Sequence, residues 1–441
     1  MNEKLRTDAS SLLSGAIAAV EPSACVHRAV KKKDTCISIN DRLYDLSLYE
    51  KIYVIAFGKA AIPMSMAIED ILGDYLKEGI AITKHGFEGQ LRKMKVYEAG
   101  HPMPDEYSVD SGRMVRDLLE NTGEKDLIFF LISGGGSALV TLPRKGISIT
   151  DIIKVTDGLM RAGATIDELN TVRKHLCSIK GGGLSKMAYP SESVSLILSD
   201  VVGDPLDVIA SGPTVADTST FGEFNDIVKR YEIKISPAVE GLLEDGLEGV
   251  VEETPKHGEP IFERTSHYLI GNNALALKEA EKKASELGYN TMVLSSSIVG
   301  EAREVAKVFA AIAREERSRE KPMPLPVCIL AGGETTVNMK GKGIGGRCQE
   351  MALSFGIEVS GLEGVLLLAA GTDGNDGSTD SAGAFADGDT LQNGKDLQLD
   401  ARNELYNNNS NAYFRETGGL ILTGPTGTNV MDIYMVLVDR F

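Results

Sequence analysis

Short, wholly apolar runs alternate along the chain with stretches in which apolar residues recur every three or four positions. Such runs are typical of strands buried on both faces, and such stretches are typical of amphipathic helices. The runs predict strands at residues 52–57, 79–83, 95–99, 126–132, 193–198, 268–270, 291–294, 327–331, 365–370 and 433–438. Because helical patterns separate most of these strands, we predict an α/β fold with parallel pairing in both halves of the chain. Residues 34–50 are expected to form a connection.

An acidic interval at about residues 236–263 interrupts the alternation and carries Pro255, Gly258 and Pro260. A chain of 441 residues is too long for one hydrophobic core. We therefore expect two α/β domains, residues 1–262 and residues 263–441.

The chain has a formal net charge of −17 at pH 7, which disfavours nucleic acid as a partner. An acidic protein that binds small anions has to concentrate positive charge locally, so single lysines and arginines near strand ends are informative. No apolar run approaches the ~20 residues of a membrane span, and the cysteines form no C-x-x-C pair. We expect a cytoplasmic protein with reduced cysteines and no membrane association, either a monomer or a homodimer.

Two cations stand where a glycine leads into a predicted helix. Lys59 follows Gly58 after the strand at residues 52–57, and Arg347 follows Gly346 where apolar positions begin to recur at helical spacing. A cation in the first helical turn opposes the helix dipole by about 0.3–1 kcal/mol unless an anion binds the free N–H groups there. This pattern predicts that a phosphate or carboxylate binds at Arg347. Lys59 shows the same pattern. A solvated side chain is the simpler alternative for each.

The strand predicted at residues 126–132 runs into a segment whose glycines allow N–H groups to converge on an anion. This segment consists of Ser133, Gly134, Gly135, Gly136 and Ser137. A phosphate cradle is one interpretation, and a tight turn is the other.

A helix predicted near residue 170 carries further cations. Arg173 and Lys180 are seven residues apart, which would place them on one helix face and make a positive wall. A solvated charged face is the alternative. His101 stands between Gly100 and Pro102 in a loop, where we favour a backbone hydrogen bond over a ligand contact.

Carboxylates collect after two further strands. Asp200, Asp204 and Asp207 follow the strand at residues 193–198, while Asp373 and Asp380 follow the strand at residues 365–370, with Thr372 beside them. Carboxylates at strand ends suit Mg²⁺, which takes one or two protein carboxylates together with phosphate oxygens. Ordinary turn chemistry is the alternative.

Seven motifs occur in order from about residue 50 to the carboxyl terminus. They are Phe57-Gly58-Lys59-Ala60, the segments 133–138, 199–204, 210–214, 332–336 and 345–350, and Ala370-Gly371-Thr372-Asp373-Gly374. The ordered set resembles the glycerate 2-kinase family, whose carboxy-terminal part is called the MOFRL domain. The resemblance implies a larger Rossmann-like amino-terminal domain, a smaller α/β carboxy-terminal domain, and an active site in the cleft between them.

The resemblance also implies ATP-dependent phosphorylation of D-glycerate, typically to 2-phosphoglycerate, with Mg²⁺ or another divalent metal. The catalytic lysine and arginine of the family correspond to Lys59 and Arg347. We assign Asp200 to catalysis, as base or metal ligand, and Asp204 and Asp373 to metal binding. The residues assigned to substrate or phosphate are Ser133, Gly134, Gly135, Gly136, Ser137, Arg173, Lys180 and Thr372.

A different function remains open from the sequence. Gly341, Gly343 and Gly346 satisfy G-x-G-x-x-G, the dinucleotide fingerprint, before a predicted helix. An NAD(P)-dependent reductase acting on hydroxypyruvate is therefore the main alternative, although residues 335–340 separate the fingerprint from the core strand. A non-catalytic protein that binds sugar acids is a second alternative.

Overall fold

The structure is a computed structural model that describes residues 2–87 and 89–440, and it divides into two compact units. The N-terminal unit comprises Pro22–Ser199 and Asp204–Ile270, and the C-terminal unit comprises Met1–Glu21, Asp200–Gly203 and Gly271–Phe441. The first helix, α1 (Asn2–Ala19), therefore groups with the second unit, which differs from the expected division after residue 262. The reason is that its apolar face, with Leu5 and Leu12, is buried within the C-terminal unit.

The N-terminal unit contains a six-stranded sheet in the order β6-β5-β4-β7-β8-β9 and a small antiparallel sheet, β1-β2-β3. Its strands are β1 (Val30–Lys33), β2 (Cys36–Ile39), β3 (Arg42–Asp45), β4 (Lys51–Phe57), β5 (Leu76–Lys84), β6 (Met94–Ala99), β7 (Asp126–Ile132), β8 (Glu192–Leu198) and β9 (Thr265–Gly271). Its helices are α2 (Pro22–Ala29), α3 (Ala61–Leu72), α4 (Glu106–Leu119), α5 (Gly136–Leu139), α6 (Ile149–Arg161), α7 (Ile166–Leu176), α8 (Gly183–Ala188), α9 (Phe221–Arg230) and α10 (Pro237–Leu247).

Strands β4 and β7 form the centre of the large sheet. They pair in parallel from Lys51 opposite Asp126 to Phe57 opposite Ile132, and their apolar residues are buried on both faces. This confirms parallel pairing for the first half of the chain. The loops that follow β4 and β7 consequently leave the same edge of the sheet side by side.

The C-terminal unit has a mixed six-stranded sheet in the order β10-β11-β15-β12-β13-β14. Its strands are β10 (Asn290–Ile298), β11 (Val327–Gly333), β12 (Val365–Gly371), β13 (Gly383–Asp387), β14 (Leu420–Ile421) and β15 (Asp432–Val438). Its helices after α1 are α11 (Asn273–Glu286), α12 (Ala302–Arg319), α13 (Arg347–Glu358), α14 (Thr390–Asp396), α15 (Ala401–Tyr406) and α16 (Ser410–Thr417).

The expectation of parallel pairing in this second sheet is wrong for most of its strands. Among the described strands of this sheet only β10 and β11 pair in parallel, because the last strand, β15, inserts antiparallel between β11 and β12, and β12, β13 and β14 also pair antiparallel. The insertion places Asp432, the first residue of β15, opposite both Gly333 and Gly371. The beginning of β15 thus lies between the carboxyl ends of its two neighbours.

Among the described residues no single helix is long and apolar enough to cross a membrane, although α1 and α2, bent by 58° at their junction, pass that test as a pair by length and composition.

Candidate active site

Lys59 lies in the loop between β4 and α3, directly beside the glycine-rich segment. Its backbone N–H donates to the carbonyl of Gly134 at 2.9 Å. Gly58 makes this approach possible, because it has φ +127° and a Cβ there would lie 2.1 Å from Ser133 Oγ. The Lys59 side chain passes over Gly135, whose added Cβ would be 3.5 Å from Lys59 Cγ.

The glycine-rich segment divides into a structural part, Ser133 and Gly136, and an open part, Gly134, Gly135 and Ser137. Ser133 is buried and its hydroxyl accepts the N–H of Ala60 at 3.1 Å, so this side chain joins two loops rather than facing a ligand. Gly136 packs on Phe57, where a Cβ would meet the ring at 2.7 Å. Ser133 and Gly136 are thus used for loop packing, and their assignment to ligand contact stays a prediction.

The open part offers unused donors. Gly135 adopts a left-handed conformation with φ +85°. Within the described chain the N–H groups of Gly134 and Gly135 donate to no acceptor. Ser137 is half-buried, and its hydroxyl bonds with Ser211 Oγ at 2.8 Å. Gly134, Gly135 and Ser137 remain predicted phosphate or substrate contacts, and the free N–H groups suit that role.

A cavity of about 180 Å³ opens beside this segment. Its polar lining combines two cations, an imidazole and three hydroxyl groups, namely Arg173, Lys180, His101, Ser137, Thr141 and Thr156. Lys180 is almost completely buried, and its ammonium donates to Val140 O at 3.2 Å and Thr141 Oγ1 at 3.4 Å.

Neither cation in this cavity forms an ion pair with another described residue. Burial lowers the pKa of the Lys180 ammonium, to which nearby Arg173 adds, and burial alone lowers the pKa of Arg173. Lys174, by contrast, is satisfied by Asp217, with Nζ to Oδ1 3.1 Å. Because buried cations without a counter-ion are costly, the cavity is suited to a bound anion.

Lys180 reaches this cavity by a route different from the predicted one. Helix α7 ends at Leu176, so Lys180 stands in the following turn and does not share a helix face with Arg173. The two side chains nevertheless line the same cavity.

Arg347 begins α13 in the C-terminal unit, as predicted, and two carboxylates of the chain bind its guanidinium. Nε and Nη2 donate to the two oxygens of Asp432 at 2.6 and 2.9 Å, and Nη1 donates to Glu334 Oε1 at 2.7 Å. Although burial opposes the charged form, Asp432 and Glu334 hold the pKa of Arg347 above its ordinary value. The Asp432 carboxylate also accepts the Tyr434 hydroxyl at 3.0 Å.

The anion expected at the start of α13 is also supplied by the chain. Asp376 accepts the N–H groups of Cys348 at 3.1 Å and Gln349 at 2.8 Å. Burial, with a smaller contribution from the Asp432 charge, raises the pKa of Asp376 to about 6 despite these hydrogen bonds. The free N–H groups on which the prediction at Arg347 depended are therefore already used.

The three glycines of the dinucleotide fingerprint are used for packing. A Cβ at Gly341 would lie 2.3 Å from Asn407 O, one at Gly343 would lie 2.5 Å from Asn409 Cβ, and one at Gly346 would lie 2.2 Å from Asp376 Cγ. Their open faces are thus covered by protein, and the adjoining helix end already holds a carboxylate. This geometry disfavours a pyrophosphate at the fingerprint.

Thr372, assigned to substrate, is fully buried. Its hydroxyl donates to Met431 O at 2.7 Å and accepts the N–H of Val430 at 2.8 Å. Both hydrogen-bonding roles of the hydroxyl are used in positioning the start of β15, and the assignment of Thr372 to substrate stays a prediction.

The three assigned aspartates are half-buried at the ends of strands. Asp200 follows β8, Asp204 has φ +56°, and Asp373 follows β12 with Oδ1 accepting the N–H of Asn375 at 3.0 Å. Ala210 and Ser211, in the loop that Asp204 begins, also have positive φ. Such strain, about 1–3 kcal/mol per residue, concentrates at functional loops.

A metal centre made entirely by the protein is not found in the part of the chain that the structure describes, since no three His, Cys, Asp or Glu side chains converge. Mg²⁺ requires fewer ligands, because it usually keeps several waters and binds one or two carboxylates together with substrate phosphates. Asp204 and Asp373 present carboxylate oxygens, the donor type that this ion prefers. The predicted metal roles of these aspartates are compatible with their exposure.

Sequence reasoning missed Asp432 and misjudged His101. Nothing in the sequence around Asp432 indicates a functional residue, since it is simply the polar residue before a final apolar strand. His101 lines the cavity instead of making the expected backbone hydrogen bond. The Gly-His-Pro-Met-Pro sequence at a strand end was the available signal for His101.

The chain is similar to known proteins over almost its whole length. A domain of unknown function (DUF4147) matches residues 8–244, and the MOFRL family matches residues 327–432. A D-glycerate 2-kinase of Thermotoga maritima is 40% identical over 437 residues, which cover 99% of each chain. A protein of Agrobacterium vitis, provisionally named hydroxypyruvate reductase, is 39% identical and covers 87% of this chain and 86% of its own length.

A solved structure is similar over the same length. The crystal structure of glycerate kinase from Thermotoga maritima matches with a TM-score of 0.89 and 39% identity, covering 99% of this chain and 100% of that one. The similarity therefore extends through both units.

Proposed function

The chain belongs to the glycerate kinase family, and from this premise we propose that it transfers the γ-phosphoryl group of ATP to the 2-hydroxyl of D-glycerate with the help of Mg²⁺. The family membership supports the reaction class, while the donor, the metal and the position of the phosphorylated hydroxyl are the proposal. The five free cysteines support the cytoplasm as its compartment.

One observation carries the proposal. In the N-terminal unit, Arg173 and Lys180 line a small cavity next to Gly134 and Gly135, and among the described residues the two cations have no counter-ion and the two glycine N–H groups have no acceptor. The guanidinium of Arg173 is suited to bidentate hydrogen bonding with the carboxylate of glycerate, and buried Lys180 adds charge. Glycine N–H groups and Lys59 would bind the phosphate oxygens.

Phosphoryl transfer needs positioning and neutralisation of negative charge more than covalent chemistry. Lys59 is half-buried and forms no ion pair with another described residue, so its ammonium is available to a phosphoryl group. Arg347 is held in place by Asp432, and its bond to the more exposed Glu334 can be exchanged for one to phosphate. We assign both residues to stabilising charge that develops during transfer.

The carboxylates would hold the metal. Asp204 and Asp373 are proposed as Mg²⁺ ligands, and Asp200 as a metal ligand or proton acceptor. The bound ion would neutralise charge on the phosphate oxygens.

A coupled assay with D-glycerate, ATP and Mg²⁺, in which 2-phosphoglycerate is resolved from 3-phosphoglycerate, tests this function. We expect metal-dependent formation of 2-phosphoglycerate. Lys59→Ala and Arg347→Ala should each lower kcat about 100-fold or more, while Lys77→Ala, at an exposed lysine, should leave it unchanged. Near-normal turnover in both active-site variants, with intact folding, would remove these assignments.

The reductase alternative is tested in parallel with hydroxypyruvate and NADH or NADPH. The name of the Agrobacterium vitis relative favours that activity, whereas the packing of Gly341, Gly343 and Gly346 opposes it. Cofactor oxidation without phosphoryl transfer would replace the kinase proposal.

A further inference from the structure

His101 is held in a defined position at the mouth of the cavity. It belongs to the loop between β6 and α4, which Asp105 closes by accepting the N–H groups of Gly100 at 3.0 Å and Ser108 at 2.9 Å. Asp105 and Ser108 also form the reciprocal cap of α4. The backbone that carries His101 is therefore fixed at both ends by one carboxylate.

The imidazole of His101 contacts the open part of the glycine-rich segment. A Cβ on Gly135 would lie 2.9 Å from both Cδ2 and Nε2 of His101, so the ring packs directly on that glycine. Lys59 packs over the same glycine, and Arg173 and Lys180 line the cavity with the ring. No described residue forms a hydrogen bond with either ring nitrogen.

A half-buried imidazole with unused nitrogens among cations is an unusual arrangement. Cations repel the imidazolium, so the surroundings select the neutral ring, which has one nitrogen lone pair available to accept a proton. Burial, Lys59 and Lys84 together lower the pKa of His101 to about 4. The ring is thus uncharged at neutral pH, and a bound substrate carboxylate and triphosphate would raise its basicity.

We propose that His101 accepts the proton of the glycerate hydroxyl group that attacks the γ-phosphorus of ATP. The inference rests on the proposed function and assigns the proton acceptor, which leaves Asp200 the role of metal ligand. The hydroxyl O–H bond breaks and its proton passes to the free imidazole nitrogen as the new O–P bond forms. The bond from the γ-phosphorus to the leaving oxygen breaks, ADP departs with that electron pair, and the imidazolium returns its proton to solvent.

With His101 as proton acceptor, the groups around it can each be given a role in binding substrate. Arg173 and Lys180 would hold the carboxylate of the substrate in the cavity, which brings the hydroxyl on the adjacent carbon towards the cavity mouth. The N–H groups of Gly134 and Gly135 would hold the phosphoryl group next to that hydroxyl, beside the His101 ring. A weakly basic acceptor is sufficient, because the catalytic base of protein kinases is also a carboxylate of low basicity.

The test compares His101→Gln, which keeps a hydrogen-bonding side chain but cannot take up the proton, with His27→Gln at an exposed histidine far along the sequence. His101→Asn serves as the second variant should the glutamine disturb folding. Measurements are kcat and KM for D-glycerate from pH 5 to 9, with saturating ATP and Mg²⁺, and urea unfolding of each protein.

We expect His101→Gln to lower kcat at least 100-fold at pH 7, with a change in KM for glycerate below threefold, and to abolish the acid limb of the kcat profile. His27→Gln should match the wild type. A kcat within threefold of the wild type in either folded His101 variant would overturn the proposal. A raised KM with unchanged kcat would also overturn it, because the ring would then only bind substrate.

The wild type separates this inference from the function on which it rests. If the wild-type protein makes no phosphoglycerate, the proposed function fails. If the wild type is active and the His101 variants are equally active, only the proton acceptor is wrong.

Discussion

Replacing Asp432 with asparagine tests whether a buried carboxylate at the start of β15 positions Arg347. Asp432 is about 1% exposed and accepts two guanidinium N–H bonds, at 2.6 and 2.9 Å, whereas the Arg347 side chain is 32% exposed. Asparagine has a similar shape but removes the charge and turns an N–H₂ group towards one of the donors.

The expected magnitude follows from these contacts. A hydrogen bond to a charged group contributes about 1.5–3 kcal/mol, and breaking a fully buried ion pair costs about 3–5 kcal/mol. Arg347 keeps its bond to Glu334 and some solvent access, so we expect Asp432→Asn to lower the free energy of unfolding by about 2–3 kcal/mol. Because the guanidinium loses its orientation, kcat should fall about 100-fold or more.

A matched control is present in the same unit. Asp380 binds Arg415 at 2.7 Å, a comparable distance, but their side chains are 68% and 51% exposed. Asp380→Asn should cost less than about 1 kcal/mol and leave kcat unchanged, because an exposed pair is screened by water. Urea unfolding at pH 7.5 and the glycerate assay measure both variants. If Asp432→Asn were no more damaging than Asp380→Asn, our account of Arg347 would be refuted.

Two further predictions concern folding. Gly58→Ala should lower the free energy of unfolding by more than about 2 kcal/mol, since φ is +127° and an added Cβ has no room. The control is Gly86→Ala, where φ is +78° and an added Cβ would have nothing within 4 Å. This variant should cost only about 1 kcal/mol in urea unfolding. For Asp376, a folded pKa of about 6 lies above the unfolded value of 3.8, so stability from the neutral carboxyl is complete only below pH 3.8 and is lost as pH rises through about 6. The wild type should therefore lose about 2.5 kcal/mol relative to Asp376→Asn between pH 4 and 7.5, and a flat or rising difference would contradict the raised pKa.

The strands were predictable where both faces of a sheet are buried. Residues 126–132 were predicted as a strand and form β7 with the same bounds, because every position there avoids water. Residues 34–50 were expected to be a connection but contain β2 and β3, which belong to a small sheet with exposed, charged positions. A strand that buries little leaves little pattern to detect.

The pairing of β15 shows where sequence patterns stop being informative. Its apolar run predicts a buried strand correctly, yet an apolar run has the same appearance in parallel and antiparallel pairs. Which neighbours it joins depends on contacts between residues about one hundred positions apart, such as Ala331 with Tyr434. The partner of Arg347 was therefore invisible, although Arg347 itself could be singled out from its position after Gly346.

Lys59 and Arg347 share one sequence signature, a glycine and then a cation at a helix start, but the fold gives them opposite surroundings. Lys59 packs over Gly135, which lines the cavity where Arg173 and Lys180 form no ion pair with another described residue. Arg347 forms a cluster with Asp432 and Glu334, in which two carboxylates exceed one guanidinium. Electrostatics alone would therefore bring an anionic substrate to the N-terminal unit first. Asp432 and Glu334 use three of the five N–H groups of Arg347, so under the proposed function we expect this preoriented donor to contribute to the transfer step more than to binding.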